Sequence, residues 1–441
     1  MAMLLFFLIG ATLYTGKYQR IENGFPQNQT FCQGILSEQP AEKAKSWALN
    51  LEQENGVHLL LYIGKDRKNP IADSIAFAKL NIGDTIFAHI THLNSTTQTT
   101  DATFLPYYRS LFSNGICATA YSPQHQWFVH PHDDTFHLLR SLRNLQGKMR
   151  QIYADNGING ESGSIIEAMT IGYKSNISKD LRTHYATSGV SHLLAMSGFH
   201  VGVIVILLQL LLFGKIIPFQ WRWLCNLLII TFLWAFALIA GLSPSLVRAT
   251  LMFCILLMCQ SFSHELFSIN SCALALLIML IINPLSLHHI GFQLSFLSVV
   301  GICLFGTPLS RLISFRWAGF RFLWSIISIS LICTLVTAPL VAYHFGYLPL
   351  LSIIANLVLT PLIYIVLWGG ILWWIFLWSN PVNHFLTDVL IGSAKAMNHL
   401  TERIASLSFA SVEWHPSLLT TLLCYTALLY IAYKTNKISK I

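Results

Sequence analysis

Six side chains carry the chemistry this sequence can do: His192, Ser197 and His200 in the stretch HLLAMSGFHVG, Arg248 in GLSPSLVRAT, Gln293 in GFQLSF, and Asn356 ahead of Pro361. A serine flanked by two histidines fits two chemistries. With a base in hydrogen-bond reach and a third group to orient that base, Ser197 is a nucleophile and the chain a hydrolase. Without the third group, the same side chains are donors that an anion or a water-filled passage can use. The apolar segments that follow, up to Tyr343, contain no Asp or Glu, so the serine–histidine set lacks an acid and Arg248 lacks an obvious acidic mate. A guanidinium at the start of an apolar segment must reach a carboxylate, a carbonyl, water or a phosphate, which suits a residue offered to an anion. Gln293 and Asn356 equally fit hydrogen bonds between neighbouring helices.

A metal-like run lies further upstream. His130, His132, Asp133 and Asp134 (HPHDD) approach the HxHxDH pattern of metallo-β-lactamase-type hydrolases, but Thr135 stands at the last ligand position. The soluble part of the chain is also too short for such a domain, so the run reads as a solvated turn and no metal is expected. Of nine cysteines, only Cys32 and Cys117 fall outside the long apolar runs. They sit in the first and last strand-like segments of the N-terminal region, ends that a closed barrel brings together. A disulfide is expected if that region faces an oxidising compartment, and two buried thiols otherwise.

Composition sets the frame around these residues. Hydrophobic residues make up 54% of the 441 and charged residues only 10%, against about 25% charged in ordinary soluble domains. The net charge of +8 fits either positive-inside topology or a polyanionic ligand.

In chain order, Met1–Thr15 is apolar but shorter than the roughly 20 residues that cross a bilayer, and reads as a short or tilted first crossing. Alternating runs at Val57–Ile63 and Thr85–Ile90, with Asn-Gly turns at Asn23 and Asn114, predict a small β-barrel or sandwich. Its aromatics (Trp47, Tyr62, Phe104, Tyr107, Tyr108 and Trp127) can stack on bases or fill a core. Thr135–Ala154 is amphipathic and basic, fitting a helix lying in an anionic membrane surface, and Glu161–Thr170 predicts a second helix. From His192 onward, membrane-length runs fall at His192–Phe213, Trp221–Ala240, Leu246–Phe262, Phe267–Ile282, Gly291–Leu309, Phe322–Tyr343, Leu350–Trp378 and Leu418–Tyr433. Interruptions at Gly241–Pro244, Pro284, Pro339 and Pro361 predict broken helices around a cavity. Phe385–Ile404 fits an interfacial segment.

The fold expected is an α-helical polytopic membrane protein with an N-terminal small all-β (OB-like) soluble domain. Its divisions are a first membrane segment (1–17), the β domain (18–130), amphipathic interfacial helices (131–190), a multi-helix transmembrane domain (191–435) and a basic tail (436–441). Lys215 with Arg222, and Arg311 with Arg316 and Arg321, occupy alternate loops; these loops are expected in the cytoplasm and the β domain outside the cell membrane.

HLLAMSGFHVG resembles the signature of the ComEC family of bacterial DNA-internalisation (competence) proteins. The segments ESGS with EAMTIGY, GLSPSLVRA, Asn283-Pro284, GFQLSFLSVVGI and the late pattern Ala338–Leu340, Asn356, Pro361 and Leu362 follow in family order, over about Gly160–Leu362. Met196 and Phe199 stand where aliphatic residues are commoner. The resemblance implies a multi-pass inner-membrane channel that imports single-stranded DNA during natural transformation, with an external OB-like domain receiving it. No enzyme activity and no cofactor are implied. Many family members add a C-terminal metallo-β-lactamase-like domain; the sequence to Ile441 lacks one, so a separate nuclease is expected, alongside other DNA-uptake proteins, membrane lipids and a possible homo-oligomer. His192, Ser197, His200, Arg248, Gln293 and Asn356 are the expected DNA path. Two rivals use the same residues: a membrane-embedded hydrolase built on Ser197 and His200, and a small-anion transporter.

Overall fold

Burial alternates residue by residue in the first strand, β1 (Phe31–Leu36), where Phe31, Gln33 and Ile35 face out and Cys32, Gly34 and Leu36 face in. That two-residue period builds the N-terminal part of the chain. The structure is a computed structural model describing residues 2–23, 30–38, 40–43, 45–66, 76–77, 80–81, 83–96, 105–131, 138–174, 176–194, 196–212, 221–261, 269–312, 317–407 and 409–438. It divides into two units, Met1–Leu142 with Leu277–Gln293, and Arg143–Leu276 with Leu294–Ile441.

The first unit holds helix α1 (Ala2–Asn23) and strands β1, β2 (Ala41–Glu42), β3 (Ser46–Glu52), β4 (His58–Gly64), β5 (Thr85–His89) and β6 (His92–Ser95), followed by helix α2 (Leu105–Ser113), β7 (Ile116–Ser122) and β8 (Trp127–His130). The strand order is β6-β7-β4-β3-β1-β5-β8, with β2 on β3. The sheet is mixed, because β4 and β7 run parallel. A parallel pair needs a long connection, and the chain between them carries β5, β6 and α2. The expected all-β domain is therefore a mixed sheet with a helix of its own: the Tyr107 hydroxyl on α2 lies 2.6 Å from that of Tyr62 on β4.

Leu49, Leu51, Leu59, Leu61, Ile63 and Ile86 form its core, each with no exposed area. Trp47, Phe77 and Trp127 stack beside them with ring centroids 4.8 Å apart at each step. Trp47 and Trp127 are thus packing residues. Helix α1 extends past the expected end at residue 17 and docks on this unit. Arg20 donates to the Asn55 carbonyl at 2.8 Å, Lys17 Nζ donates to Asn283 Oδ1 at 3.0 Å, and Tyr14 shares a 3.0 Å hydrogen bond with His288. Asn283 precedes a short 3-10 turn, Pro284–His288, whose Leu285 is fully buried in the same core.

The second unit is helical. It contains α3 (Leu138–Asp155, from Arg143 on), α4 (Gly160–Thr170), α5 (Lys179–Thr187), α6 (Ser191–Leu194), α7 (Gly198–Leu212), α8 (Arg222–Ile239), α9 (Pro244–Ser261), most of α10 (Ile269–Ile282) and α11 (Ile290–Leu312), then α12 (Ala318–Phe345), α13 (Ser352–Ile375), α14 (Asn380–Ala405) and α15 (Leu418–Ile438), with a two-stranded pair of β9 (Tyr347–Pro349) and β10 (Ser411–Glu413).

Among the described residues, three spans are long and apolar enough to cross a membrane: Arg222–Ile239, Gly319–Phe345 and Ser352–Ile375; five shorter apolar helices accompany them. Leu418, Leu419, Leu422, Leu423, Leu429 and Tyr430 of α15 are all more than half exposed, a surface suited to acyl chains rather than to water. The chain is a membrane protein. The helices are interrupted at Gly241–Pro244 and at the Pro284 turn, as expected. They run without a break through Pro339 and Pro361, whose missing N–H groups cost one ladder bond each and are tolerated within long packed helices.

Cys32 and Cys117 are both buried and both free. Burial pushes each thiol up to about 11, so at pH 8 only about one molecule in a thousand carries the reactive thiolate at either site. In the folded protein both should resist maleimide at pH 8, react faster as pH rises, and label fully in denaturant without reductant. A pair that stays unlabelled in denaturant until reduced would reveal a disulfide instead.

Candidate functional site

The motif around Ser197 is first of all a helix start. The Ser197 carbonyl accepts from the Val201 N–H at 3.3 Å, which makes Ser197 the N-cap of α7, three residues before His200. The Ser197 hydroxyl lies 2.9 Å from His200 Nδ1, and the Ser197 backbone N–H donates to the same nitrogen at 3.4 Å. This is one half of a capping box, with histidine where Glu or Gln usually stands: the ring reaches back to the N-cap N–H, while the hydroxyl bonds the ring rather than a backbone N–H. A backbone N–H can only donate, so Nδ1 accepts and the ring proton of the neutral imidazole sits on Nε2. His200 has no exposed area, and its Nε2 has no hydrogen-bond partner among the described residues. A serine nucleophile needs the far nitrogen of its base held by an acid. Here that nitrogen meets none, and the ring is closed to solvent.

Helix α7 is pinned against α9 by small residues. A Cβ on Gly198 would sit 3.7 Å from the Ala249 side chain, and one on Gly202 would sit 3.1 Å from the Phe253 ring. Both contacts advance in the same direction, so the two helices run parallel and start at the same end. That end gathers two positive helix termini with Ser197, His200, Arg248 and Thr250. Arg248 is 2% exposed and Thr250 fully buried, and the hydroxyls of Ser243 and Thr250 have no partner among the described residues. Buried donors of this kind call for water or an ion.

Helices α8 and α13 close the other sides. Ile229, Leu233 and Ala237 of α8 pack on Val201, Ile204 and Val205, while Trp368 of α13 donates to the Val203 carbonyl at 3.0 Å. Gly172, in the turn after α4, has φ +75° and lies so close to Ala240 that a Cβ would fall 2.7 Å from its carbonyl oxygen. Only glycine meets both demands.

The structure brings His192 into the same neighbourhood: its ring donates to the Gly189 carbonyl, and it and Lys174 lie within electrostatic reach of His200. Burial, and then Arg182, lower the pKa of Lys174 below the ordinary lysine value. Gln293 is spent locally, donating to the Leu287 carbonyl at 2.8 Å. It belongs to the first unit and the other five to the second. Asn356 lies half-buried on α13. Neither of two surface cavities, about 350 and 490 Å³, is lined by any of these six residues.

The smaller cavity exposes a polar cluster that the sequence pattern did not single out. Glu167, 6% exposed, accepts from Arg150 Nε at 3.3 Å and from Asn176 at 3.2 Å, and the Arg150 guanidinium lies 3.6 Å over the Tyr173 ring. Burial raises the Glu167 carboxyl above its ordinary range, and Arg150 partly offsets the rise. A buried acid paired across helices is invisible to a search for acids inside later apolar segments. Among the described residues no group of three or more His, Cys, Asp or Glu converges to hold a metal ion, and His132, Asp133 and Asp134 lie outside them.

The competence protein family matches residues 169–437, which includes the whole of this helical arrangement from α5 to α14. The chain belongs to that family, as a ComEC-type protein. It is also similar to ComE operon protein 3 of Bacillus subtilis (strain 168), 28% identical over 201 residues that make up 46% of this chain and 25% of that relative. The match therefore spans about a quarter of the relative's length. No solved structure matches. In this competence protein the motif residues Ser197, His200, Gly202, Gly172 and Arg248 cap, space and fill the start of one parallel helix pair.

The cap and the spacing are separable. Gly198→Ala should leave stability within about 0.5 kcal/mol, whereas Gly202→Leu should cost about 1–3 kcal/mol by overpacking Phe253; thermal unfolding in detergent reads both. Ser197→Ala should lose about 1 kcal/mol, the worth of its hydroxyl's hydrogen bond to His200 Nδ1, and a serine-reactive fluorophosphonate should leave wild-type Ser197 unmodified.

Proposed function

We propose that this competence protein conducts single-stranded DNA across the cell membrane during natural transformation. It would do so as a multi-pass channel with basic loops in the cytoplasm and the N-terminal sheet unit outside. The observation that carries this reading is the family match over 169–437, joined to a helix pair whose start is loaded with buried donors. A phosphodiester strand is a polyanion, and what it needs within hydrocarbon is a set of donors and positive helix termini held ready in place of water. The starts of α7 and α9, with Arg248, His200, Thr250 and Ser243, supply that set.

In the conformation described, His200 and Arg248 are shut off from solvent, so this is a closed state. Passage requires α7 and α9 to part at their shared start. The small residues that let them touch also leave little side-chain interlocking to undo. The hydrolase alternative is disfavoured by the orphan Nε2 of His200. The small-anion transporter uses the same donors and separates from DNA import by substrate size in reconstituted vesicles.

Transformation frequency in an Arg248→Ala variant with normal membrane abundance tests the proposal. The expected outcome is a loss of at least about tenfold, the effect of removing one buried charge-assisted donor. Wild-type frequency would remove Arg248 from the path.

A further inference from the structure

Glu167 and Arg150 both line the surface cavity of about 350 Å³ at the corner between α3 and α4, a volume within the range of pockets that hold small ligands. They pair through one atom each: Arg150 Nε donates to Glu167 Oε2, which also accepts from Asn176. Among the described residues Arg150 Nη1 and Nη2 have no acceptor and Glu167 Oε1 has no donor, and none of the three is sealed from solvent. An ion pair that served packing alone, around a carboxylate only 6% exposed, would engage both oxygens and both arms of the guanidinium. Here half of each charged group is left open to the cavity. Beside them stands the start of α4: Asn159 and Gly160 line the same space, and Asn159 makes no side-chain cap bond, so the N–H groups of the first turn are left to an outside acceptor at the positive end of the helix.

The aromatic side chains behind this corner set its depth in the bilayer. Tyr153, next to the cavity-lining Ala154, accepts from Trp374 Nε1 at 2.8 Å and packs on Trp373 with ring centroids 4.8 Å apart. Both tryptophans lie in the last turn of α13, where the membrane-length span Ser352–Ile375 ends, and Trp378 just beyond is 81% exposed. Tryptophan and tyrosine gather at the level of the lipid headgroups. Helix α3 itself exposes Leu145 and Lys148, the mixture an interfacial helix presents.

We propose that this cavity seats the phosphoethanolamine headgroup of a membrane phospholipid, its ammonium on Glu167 Oε1 and its phosphate on the Arg150 Nη groups and the first-turn N–H groups of α4. The proposal does not depend on what the protein conducts. The occupant must carry both signs, because an anionic headgroup without a cation would leave the open carboxylate oxygen of Glu167 unmatched beside it. A primary ammonium brings three N–H donors to that oxygen. A choline headgroup brings none, and the Tyr173 face that would hold a quaternary ammonium is already covered by the Arg150 guanidinium at 3.6 Å. The other acids of this corner, Asp155 and Glu161, are exposed and do not line the cavity, so they do not oppose the phosphate within it.

The test uses the full-length protein, delipidated in detergent, with its thermal unfolding followed against added dihexanoyl phosphatidylethanolamine, dihexanoyl phosphatidylcholine or free phosphoethanolamine. The ethanolamine lipid is expected to raise the melting temperature progressively with concentration, while the other two leave it unchanged. Glu167→Gln keeps an oxygen for Asn176 and removes the charge, and should weaken the apparent affinity at least about tenfold, the loss of one charge-assisted hydrogen bond. That substitution also touches the Arg150 pair, so Ala154→Phe serves as the second variant. Ala154 is exposed on the cavity wall; the lipid-free variant should melt as wild type does, with the cavity filled and the lipid shift lost. Equal shifts from the ethanolamine and choline lipids overturn the proposal, as does a wild-type shift in both variants. An equal shift from free phosphoethanolamine overturns the lipid assignment in favour of a soluble ligand.

Discussion

The close contact between α7 and α9 is the constraint on which the helical unit depends. Two helices that start side by side point their positive ends the same way, an arrangement that repels unless something negative or strongly polar sits at the shared end. Nature's usual answer is an acid at the first turn. Here the first turn of α7 carries a histidine, and the N-cap serine and its own backbone N–H fix that ring in place. The pair is therefore held together by apolar contact along its length and left electrostatically hungry at one end. Ala249 and Phe253, opposite Gly198 and Gly202, set how near the two starts approach, and with that the strength of the combined field.

Much of this was legible in the chain. Seven of the eight apolar runs became helices within about five residues of their expected limits, because a membrane-length apolar stretch has few other ways to satisfy its backbone, while the run from His192 is divided between α6 and α7 around Ser197. The prolines were misleading. Pro339 and Pro361 announce breaks, yet α12 and α13 continue through them. The motif HLLAMSGFHVG was visible as unusual, and its residues do come together, but two roles were hidden. The contact from the His200 ring back to the N-cap N–H was concealed because histidine stands where a capping box has Glu or Gln, and the spacing role of Gly202 depends on Phe253, some fifty residues away.

In the sheet unit the alternating runs located β4 and β5, while the phase of burial on each strand was beyond sequence reach. Trp47 and Trp127 looked available for stacking and are core. Phe31, Phe87 and Phe128 drew no notice, yet they face outward. A strand tells which residues share a side; only its partners tell which side is wet. The parallel β4–β7 pair was equally hidden, since it joins segments separated by a helix and two other strands. Glu167 escaped for a related reason: its partners Arg150 and Asn176 come from flanking segments with no common motif.

The 3-10 turn at Pro284–His288 belongs to the N-terminal unit although the chain reaches it only after α10. Leu285 fills that unit's core, and Asn283 and His288 hold Lys17 and Tyr14 of α1. During synthesis the core of the sheet therefore stays incomplete, and the contacts of Lys17 and Tyr14 unmade, until the ribosome has passed α10: the N-terminal unit closes only on a segment made some 150 residues after its last strand.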